Sequence, residues 1–484
     1  MTQKELITMI AVSLGSFMVT LDISIVNVAL PAIQQELNSS MTDLQWIVDA
    51  YTLTLSALIL SSGVMSDRFG KKQIWNIGGA IFTLGSIICA LSPNNIWLIT
   101  GRVIQGIGGA ALIPGAMAII MMTFSDHHIR NKMVGIWSSS TAIALIVGPM
   151  MGGILVNYLG WSTIFSINIP IGLLIIILST YAIKPEPKNP NISLDPLGQL
   201  LTMIMLGTLT FGLIELSQSP SLLFLLTIFA ISLIAFILFI LWESKITAPL
   251  VPLSLFKSWE FSRNNIAAFV IGFATYSNIF FLSLFFQNAQ GYSAIETGFR
   301  LVPEFIAMGI FAINYGKIAK IFKTQILLLV AFGLIIISTL MMAQFTPQSS
   351  YIFIAIAMFI MGIGMGISIP AVSLLTLKDA PKDKIGSVSS IMNAFRQTGM
   401  AIAIALLGAM MTSSAIKTLH STLSSLHNHD NMINDAITQG LISESISTIQ
   451  VQTAWAHGFN VAMLGTAISA IIVIVCLVIQ PNKR

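Results

Sequence analysis

The sequence predicts an all-α polytopic membrane protein of fourteen transmembrane helices, built as two six-helix bundles with two further helices inserted between them. Three observations carry that prediction. The 484-residue chain is 55% hydrophobic and 9% charged, with a mean hydropathy of +0.87, far from the roughly 25% charge of soluble domains. Its apolar residues fall in runs long enough to cross a hydrocarbon core of about 30 Å, which takes about 20 helical residues. A glycine-proline pattern in the first half also recurs in the second.

The runs cover 7–28, 44–64, 74–92, 96–122, 133–156, 163–183, 197–216, 221–242, 264–286, 298–315, 325–344, 350–375, 387–411 and 453–478. Each reads as a helix, because lipid offers no water to satisfy an open backbone. Lys4 and Glu5 precede a first run too long for a signal-peptide core and without a cleavage site, so it reads as an uncleaved span.

Loop charge orients the spans. With a cytoplasmic N-terminus, the cytoplasmic segments hold 19 of the 23 basic residues: Lys4, Arg68, Lys71, Lys72, Arg130, Lys132, Lys184, Lys188, Lys245, Lys257, Arg263, Lys317, Lys320, Lys323, Lys378, Lys382, Lys384, Lys483 and Arg484. External segments hold Arg300 and Lys417, while Arg102 and Arg396 fall inside spans. Basic residues accumulate on the cytoplasmic side, so both termini are expected there and the number of crossings must be even. The same distribution accounts for the net charge of +4 without a nucleic-acid partner.

Gly106-Ile107-Gly108 with Pro114 recurs as Gly362-Ile363-Gly364 with Pro370, at an offset of 256. Gly135 and Gly148 match Gly386 and Gly399 at 251, and Gly63-Val64-Met65-Ser66 faces a degenerate Gly316-Lys317-Ile318-Ala319 at 253. Spans 1–6 and 9–14 therefore read as copies, with spans 7 and 8 inserted. Residues 1–190 form the N-terminal bundle, 191–245 the inserted pair, and 246–484 the C-terminal bundle with a polar external loop at 412–452. Repeats of this kind place a substrate site at their interface.

Charge inside a span costs a few kcal/mol even on lenient scales and so marks function. Asp22, Asp49 and Arg102 share a depth, each about 7 to 10 Å below the external edge at 1.5 Å per residue. An arginine beside two carboxylates holds them ionised, and an arriving proton frees one, which is a coupling device in outline. The plainer alternative is a static ion pair that fixes spans 1, 2 and 4. Glu304, beside the helix breaker Pro303, and Arg396 are expected to line a cavity with Asn27, Gln105 and Gln397. For Glu304 the alternative is an external rim position or pairing with Arg300; for Arg396 it is helix packing through Asn393 or Gln397. Glu215, at the external end of span 7, reads as a solvated rim residue.

Between spans 2 and 3 lies a knot of charge, Gly63-Val64-Met65-Ser66-Asp67-Arg68-Phe69-Gly70-Lys71-Lys72. Asp67 and Arg68 read as a latch between neighbouring helix ends, whereas Lys71 and Lys72 fit plain topogenic charge. Gly148-Pro149 with Gly152 and Gly153 lets backbones approach closely and reads as a hinge or seal, or as glycine packing without motion.

This knot resembles motif A of the major facilitator superfamily, with Gly63, Asp67, Arg68, Gly70 and Lys71 at the matching positions. Further matches resemble the fourteen-helix drug/proton antiporters of the EmrB/QacA type. Leu21-Asp22-Ile23-Ser24-Ile25-Val26-Asn27-Val28-Ala29-Leu30-Pro31 looks like that family's first-helix motif, and Arg102, Gln105, Gly106 and Gly108 look like motif B, whose arginine is implicated in proton coupling. Gly135, Gly148, Pro149, Gly152 and Gly153 look like the antiporter motif C, followed by a similar signature at Trp161, Phe165, Asn168, Pro170 and Gly172. Gln287, Gly291, Tyr292, Gly298, Pro303, Arg396, Gln397 and Gly399 continue the resemblance. Ala144 stands where motif C usually has glycine, and Ser162 where a basic residue often follows the tryptophan.

The resemblance implies an exporter of the bacterial plasma (inner) membrane that exchanges protons for amphipathic drugs by alternating access, with no cofactor beyond the proton gradient. Its partners are lipophilic and cationic small molecules, protons, the bilayer and, in a Gram-negative host, a periplasmic adaptor protein. A dedicated exporter of a metabolite, siderophore or lipid is the nearest alternative. A membrane sensor or intramembrane enzyme is disfavoured, since no signalling domain or intramembrane nucleophile-base pair appears. No G-x-x-x-x-G-K-S/T loop supports nucleotide-driven transport. No metal is expected: Cys89 and Cys476 lie in apolar runs, and His420, His427 and His429 sit in a polar Ser-rich stretch that reads as solvated.

Overall fold

The computed structural model describes residues 2–124, 126–186, 188–190, 193–216, 221–247, 249–378, 385–423, 430–438 and 447–479. Lys382, Lys384, His427, His429, Lys483 and Arg484 lie outside the described residues. Fourteen helices among those described are long and apolar enough to cross a membrane. They are α1 (Gln3–Leu37), α2 (Met41–Phe69), α3 (Lys71–Ala90), α4 (Asn95–Thr123), α5 (His127–Leu159), α6 (Thr163–Ala182), α7 (Pro196–Glu215), α8 (Leu222–Glu243), α9 (Trp259–Ala289), α10 (Ala294–Ile321), α11 (Thr324–Met342), α12 (Tyr351–Lys378), α13 (Ile385–Thr422) and α14 (Thr448–Val478).

Local chemistry ends these helices where the apolar runs end. Ser40 and Asp43 cap α2 reciprocally, at 2.8 and 3.1 Å, and Ser293 and Glu296 do the same for α10 at 3.0 and 3.3 Å. Asn38 closes α1 in a left-handed conformation at φ 50. Gly70, at φ +97, makes the break between α2 and α3 that only glycine takes without strain. One residue, Leu301, separates the two segments of α10, and Pro303 opens the second of them, as its fixed φ favours.

Packing repeats eight spans apart. In the first half α1 packs on α5, α2 on α4, α3 on α4 and α3 on α6; in the second, α9 packs on α13, α10 on α12, α11 on α12 and α11 on α14. The halves meet along two seams related in the same way, α2 against α13 and α5 against α10. α9 is the most buried of the spans and contains two π turns, Gly272–Tyr276 and Phe285–Ala289, of the kind that re-aim side chains within a helix. α7 covers the α2–α13 seam from outside, Leu206 packing with Leu53 and Ala57 of α2 and Ala401 of α13, and α8 packs on α7. Gln199 of α7 donates to the Ala57 carbonyl of α2 at 2.9 Å, Ser232 of α8 donates to Met205 of α7 at 2.9 Å, and Leu223 on α8 is 76% exposed, facing lipid.

One expectation is corrected. Residues 412–422, read as the start of a polar loop, continue α13, and Asp430–Thr438 forms a short helix. Polar sequence ends the hydrocarbon-crossing part of a helix but does not end the helix, since its backbone bonds are equally good in water.

Candidate functional site

A closed polar cluster lies between α1, α4 and α6. Asp22, fully buried on α1, accepts from the Arg102 guanidinium of α4, from Gln105 Nε2 at 3.1 Å and from Asn168 Nδ2 of α6 at 2.9 Å. Arg102 is 1% exposed. It also donates to Gln105 Oε1 at 2.8 Å and to the Ile47 carbonyl of α2 at 2.9 Å, and its guanidinium lies 4.4 Å from the Tyr51 ring centroid and 5.8 Å from that of Phe165. Gln105 Nε2 donates further to Ser86 of α3 at 2.8 Å. A buried ion pair of this kind keeps its charge because each partner is also hydrogen-bonded.

Asp22 and Arg102 thus meet as expected, but Asp49 does not join them. Its Oδ1 accepts from Thr52 at 3.4 Å and its Oδ2 has no donor, although the residue is fully buried. The direction in which Asp49 points accounts for this. At 100° per residue Asp49 points about 200° away from Ile47 and Tyr51, the two residues that touch Arg102. It lies instead on the face of Gln45, Thr52 and Ser56, which packs on α13: Gln45 donates to Ile404 at 3.3 Å and Ser56 to Ala394 at 3.2 Å. Among the described residues Asp49 therefore has no cation partner, and it lies on the α2 face at a seam between the bundles.

The expected cavity residues divide. Gln105 belongs to the charge cluster. Asn27 donates to the Ile23 carbonyl of its own helix at 2.8 Å, while its carbonyl accepts from Ser283 of α9 at 2.6 Å, a tie between bundles. Glu304 is fully buried and accepts from Asn278 of α9 at 3.1 and 3.3 Å. It is neither at the rim nor paired with Arg300, which pairs with Glu296 at 3.9 Å and lies 3.6 Å from the Tyr292 ring centroid. Arg396 donates to Asn393 at 2.6 Å, one turn away on α13, and Gln397 is buried on the same helix.

The glycines of α5 let it approach α1 of its own bundle and α10 of the other. A methyl on Gly148 would overlap the Ser24 hydroxyl of α1, one on Gly152 would sit 2.8 Å from Ile25, and one on Gly153 would sit 2.6 Å from the Ala294 carbonyl of α10. Gly298 of α10 in turn abuts the Pro149 carbonyl. With the Ser283–Asn27 bond and the Gln287–Val28 bond at 3.2 Å, these contacts close the bundles on the side away from the termini.

On the terminal side Lys71, not Asp67, makes the longer-range link. Its ammonium lies 3.1 Å from Glu186, beyond α6, and 3.5 Å from Asp67, while Lys72 donates to the Thr180 carbonyl at 2.7 Å. The Arg68 carbonyl accepts from the Asn189 amide at 3.0 Å, and Gly63 faces Ser390 of α13. Lys71, a motif A position expected to take part in gating and also compatible with topogenic charge, meets Glu186 because the chain returns from α6 to the α2–α3 turn.

Of the two residues that complete the cluster, Asn168 stands in the signature that follows motif C, with no role attached to it there, and Ser86 carries no distinguishing mark among the apolar residues of span 3. Isolated polar residues within apolar runs are the one further signal that bears on them, and it does not select these two.

Residues 12–404 match the family model described as Major Facilitator Superfamily. The chain is 34% identical over 412 residues to the methylenomycin A resistance protein of Bacillus subtilis, covering 84% of this chain and 88% of that one. It is 31% identical over 415 residues to the tetracenomycin C resistance and export protein of Streptomyces glaucescens, covering 84% and 76%. In fold it is similar to a bacterial homologue of the human lysosomal transporter Spinster in an inward-facing, unoccupied conformation, with a TM-score of 0.66, 17% identity, and 99% and 97% of the two chains covered.

Proposed function

Because the chain belongs to the Major Facilitator Superfamily, and is thus a multi-pass membrane transporter rather than an enzyme, we propose that it exports amphipathic drugs or toxic compounds in exchange for protons. Two relatives named for antibiotic resistance support the drug cargo. The excess of basic residues on the terminal side supports placing both termini in the cytoplasm of a bacterial plasma membrane.

The observation that carries proton coupling is Asp49, a buried acid at the α2–α13 seam with no counter-ion among the described residues. A neutral carboxylic acid is compatible with the closed seam. An ionised one requires water, which enters only when the bundles separate. Proton occupancy and seam closure are then linked, and a transporter that alternates between its two openings carries a proton with each cycle. Asp22, held by three donors, exchanges its proton only when Arg102 leaves it. A protonated Asp22 releases the guanidinium and loosens α4 from α1. Beyond the Asp22–Arg102 pair, Asp49 adds one carboxyl group to this region, which favours cationic cargo.

Everted vesicles test the reading. An imposed pH gradient is expected to drive uptake of lipophilic cations from a panel that also contains anions, and the Asp22→Asn/Asp49→Asn variant is expected to abolish gradient-driven uptake while remaining folded. Uptake that ignores the gradient, or a double variant that still follows it, rejects proton coupling. Uptake of a single metabolite and of no drug indicates a dedicated exporter.

A further inference from the structure

The inserted hairpin holds two carboxyl groups outside the bundles, at its end on the terminal side. Asp195 caps α7: its Oδ1 accepts from the Gly198 amide at 2.9 Å and from the Trp242 indole at 2.8 Å. Glu243 ends α8, and its Oε2 accepts from the Val251 amide at 3.1 Å, in the segment that leads into the C-terminal bundle. The second oxygen of each, Asp195 Oδ2 and Glu243 Oε1, has no donor, although the residues are only 4% and 3% exposed. Both oxygens crowd one point. A methyl on Gly198 would lie 2.7 Å from Glu243 Oε1 and closer still to Asp195 Oδ2, so the two donorless oxygens converge on the same spot beside Gly198.

Two carboxylate oxygens are both acceptors, so a bond between them needs a proton. Two ionised carboxylates this close and this buried would repel. The charged residues on the surrounding elements are Asp67 and Arg68 at the end of α2, Lys245 after α8 and Arg263 in α9; the charge that acts on Glu243 is Asp195. A cavity of about 200 Å³ lined by Ser61 and Met65 of α2, Asp195, Gln199, Pro249 and Leu250 lies beside the pair. It gives solvent a route to it.

We propose that Asp195 and Glu243 form a proton-binding clasp, in which one shared proton, exchanged with the solution on the terminal side, fastens the inserted hairpin to the start of the C-terminal bundle. Loss of that proton places like charges together and releases the Val251 amide. The clasp lies outside both seams and does not depend on the transport reading.

The test uses full-length protein in liposomes, with Leu250→Cys as a probe in a Cys89→Ser/Cys476→Ser background. Maleimide labelling is normalised at each pH to the denatured chain. Labelling is expected to rise several-fold from mildly acidic to alkaline pH. Glu243→Gln keeps both contacts without titrating, since its amide oxygen accepts from Val251 and its amide nitrogen donates to Asp195, so labelling stays low throughout. Glu243→Ala is expected to label strongly at every pH. A pH-independent parent, or a Glu243→Gln variant that follows the parent's pH response, overturns the proposal. Should Glu243→Gln misfold, infrared difference spectra of the parent read the shared proton directly: a protonated-carboxyl band lost over the labelling transition supports the clasp, and its absence overturns it.

Discussion

The two bundles pack alike and differ in what they bury. The offset of 256 that relates Gly106 to Gly362 carries Asp22 to Asn278, Arg102 to Met358 and Gln105 to Met361. In the N-terminal bundle these positions hold an ion pair with its amide bridge. In the C-terminal bundle they hold an amide and two fully buried thioethers. The helix contacts around them are nevertheless conserved between the halves. A methyl on Gly106 would meet Tyr51 and Thr54 of α2, and a methyl on Gly362 would meet Glu304 and Ala307 of α10, residues 253 further along. Glu304 is therefore the counterpart of Tyr51, whose ring covers Arg102. Where one half lays an aromatic ring on a cation, the other places an acid against Asn278. Backbone approach at glycines is enough to repeat a fold; the polar chemistry placed on it is free to diverge, and here leaves one half with a satisfied pair and the other with an acid that has no cation partner among the described residues.

The sharpest way to break this contrast is to convert the first half into the second. Arg102→Met alone strands the Asp22 carboxylate, and is expected to destabilise by about 3–5 kcal/mol. Asp22→Asn/Arg102→Met, which reproduces the Asn278–Met358 arrangement, should recover most of that in thermal unfolding while proton-driven uptake stays abolished. Recovery of both would show that the pair is only a brace.

A smaller effect separates Gly148 and Gly399, which the sequence pairs at an offset of 251 but which the structure sets at different levels, Gly148 against Ser24 and Gly399 against Phe269, the counterpart of Ser13. A methyl on Gly399 meets the Phe269 backbone, whereas on Gly148 it meets a serine side chain that can turn away. Gly399→Ala should therefore lower the unfolding temperature more than Gly148→Ala, the latter costing about 1–3 kcal/mol. The reverse order would mean that the α1–α5 contact is the less yielding of the two.

The mildest change is Glu304→Gln, which keeps a hydrogen bond with Asn278. Stability should shift by less than about 1 kcal/mol, while uptake of cations falls relative to that of neutral compounds in the vesicle panel. Equal loss for both would remove Glu304 from cargo selection.

Much of this was legible in the chain. Apolar length gave fourteen spans, and the Gly-Ile-Gly repeats gave their pairing. Asp22, Arg102 and the α5 glycines were found because charge or clustered glycine inside a span is costly without a reason. Ser86 was not, and the bond from Asn168 to Asp22 was not, because neutral polar residues are common in such helices and nothing in the chain says which of them meet. The partner of Lys71 was not, because Glu186 lies 115 residues away.

What the sequence determined by itself is the number and length of the membrane-crossing helices, since each residue adds its transfer energy to a span whichever way it faces. Only the tertiary structure decided which way each helix turns about its axis, and so that Arg102 holds Asp22 while Asp49 faces α13. That rotation follows from the fit of one helix surface to another, a relation between distant segments that no single span encodes.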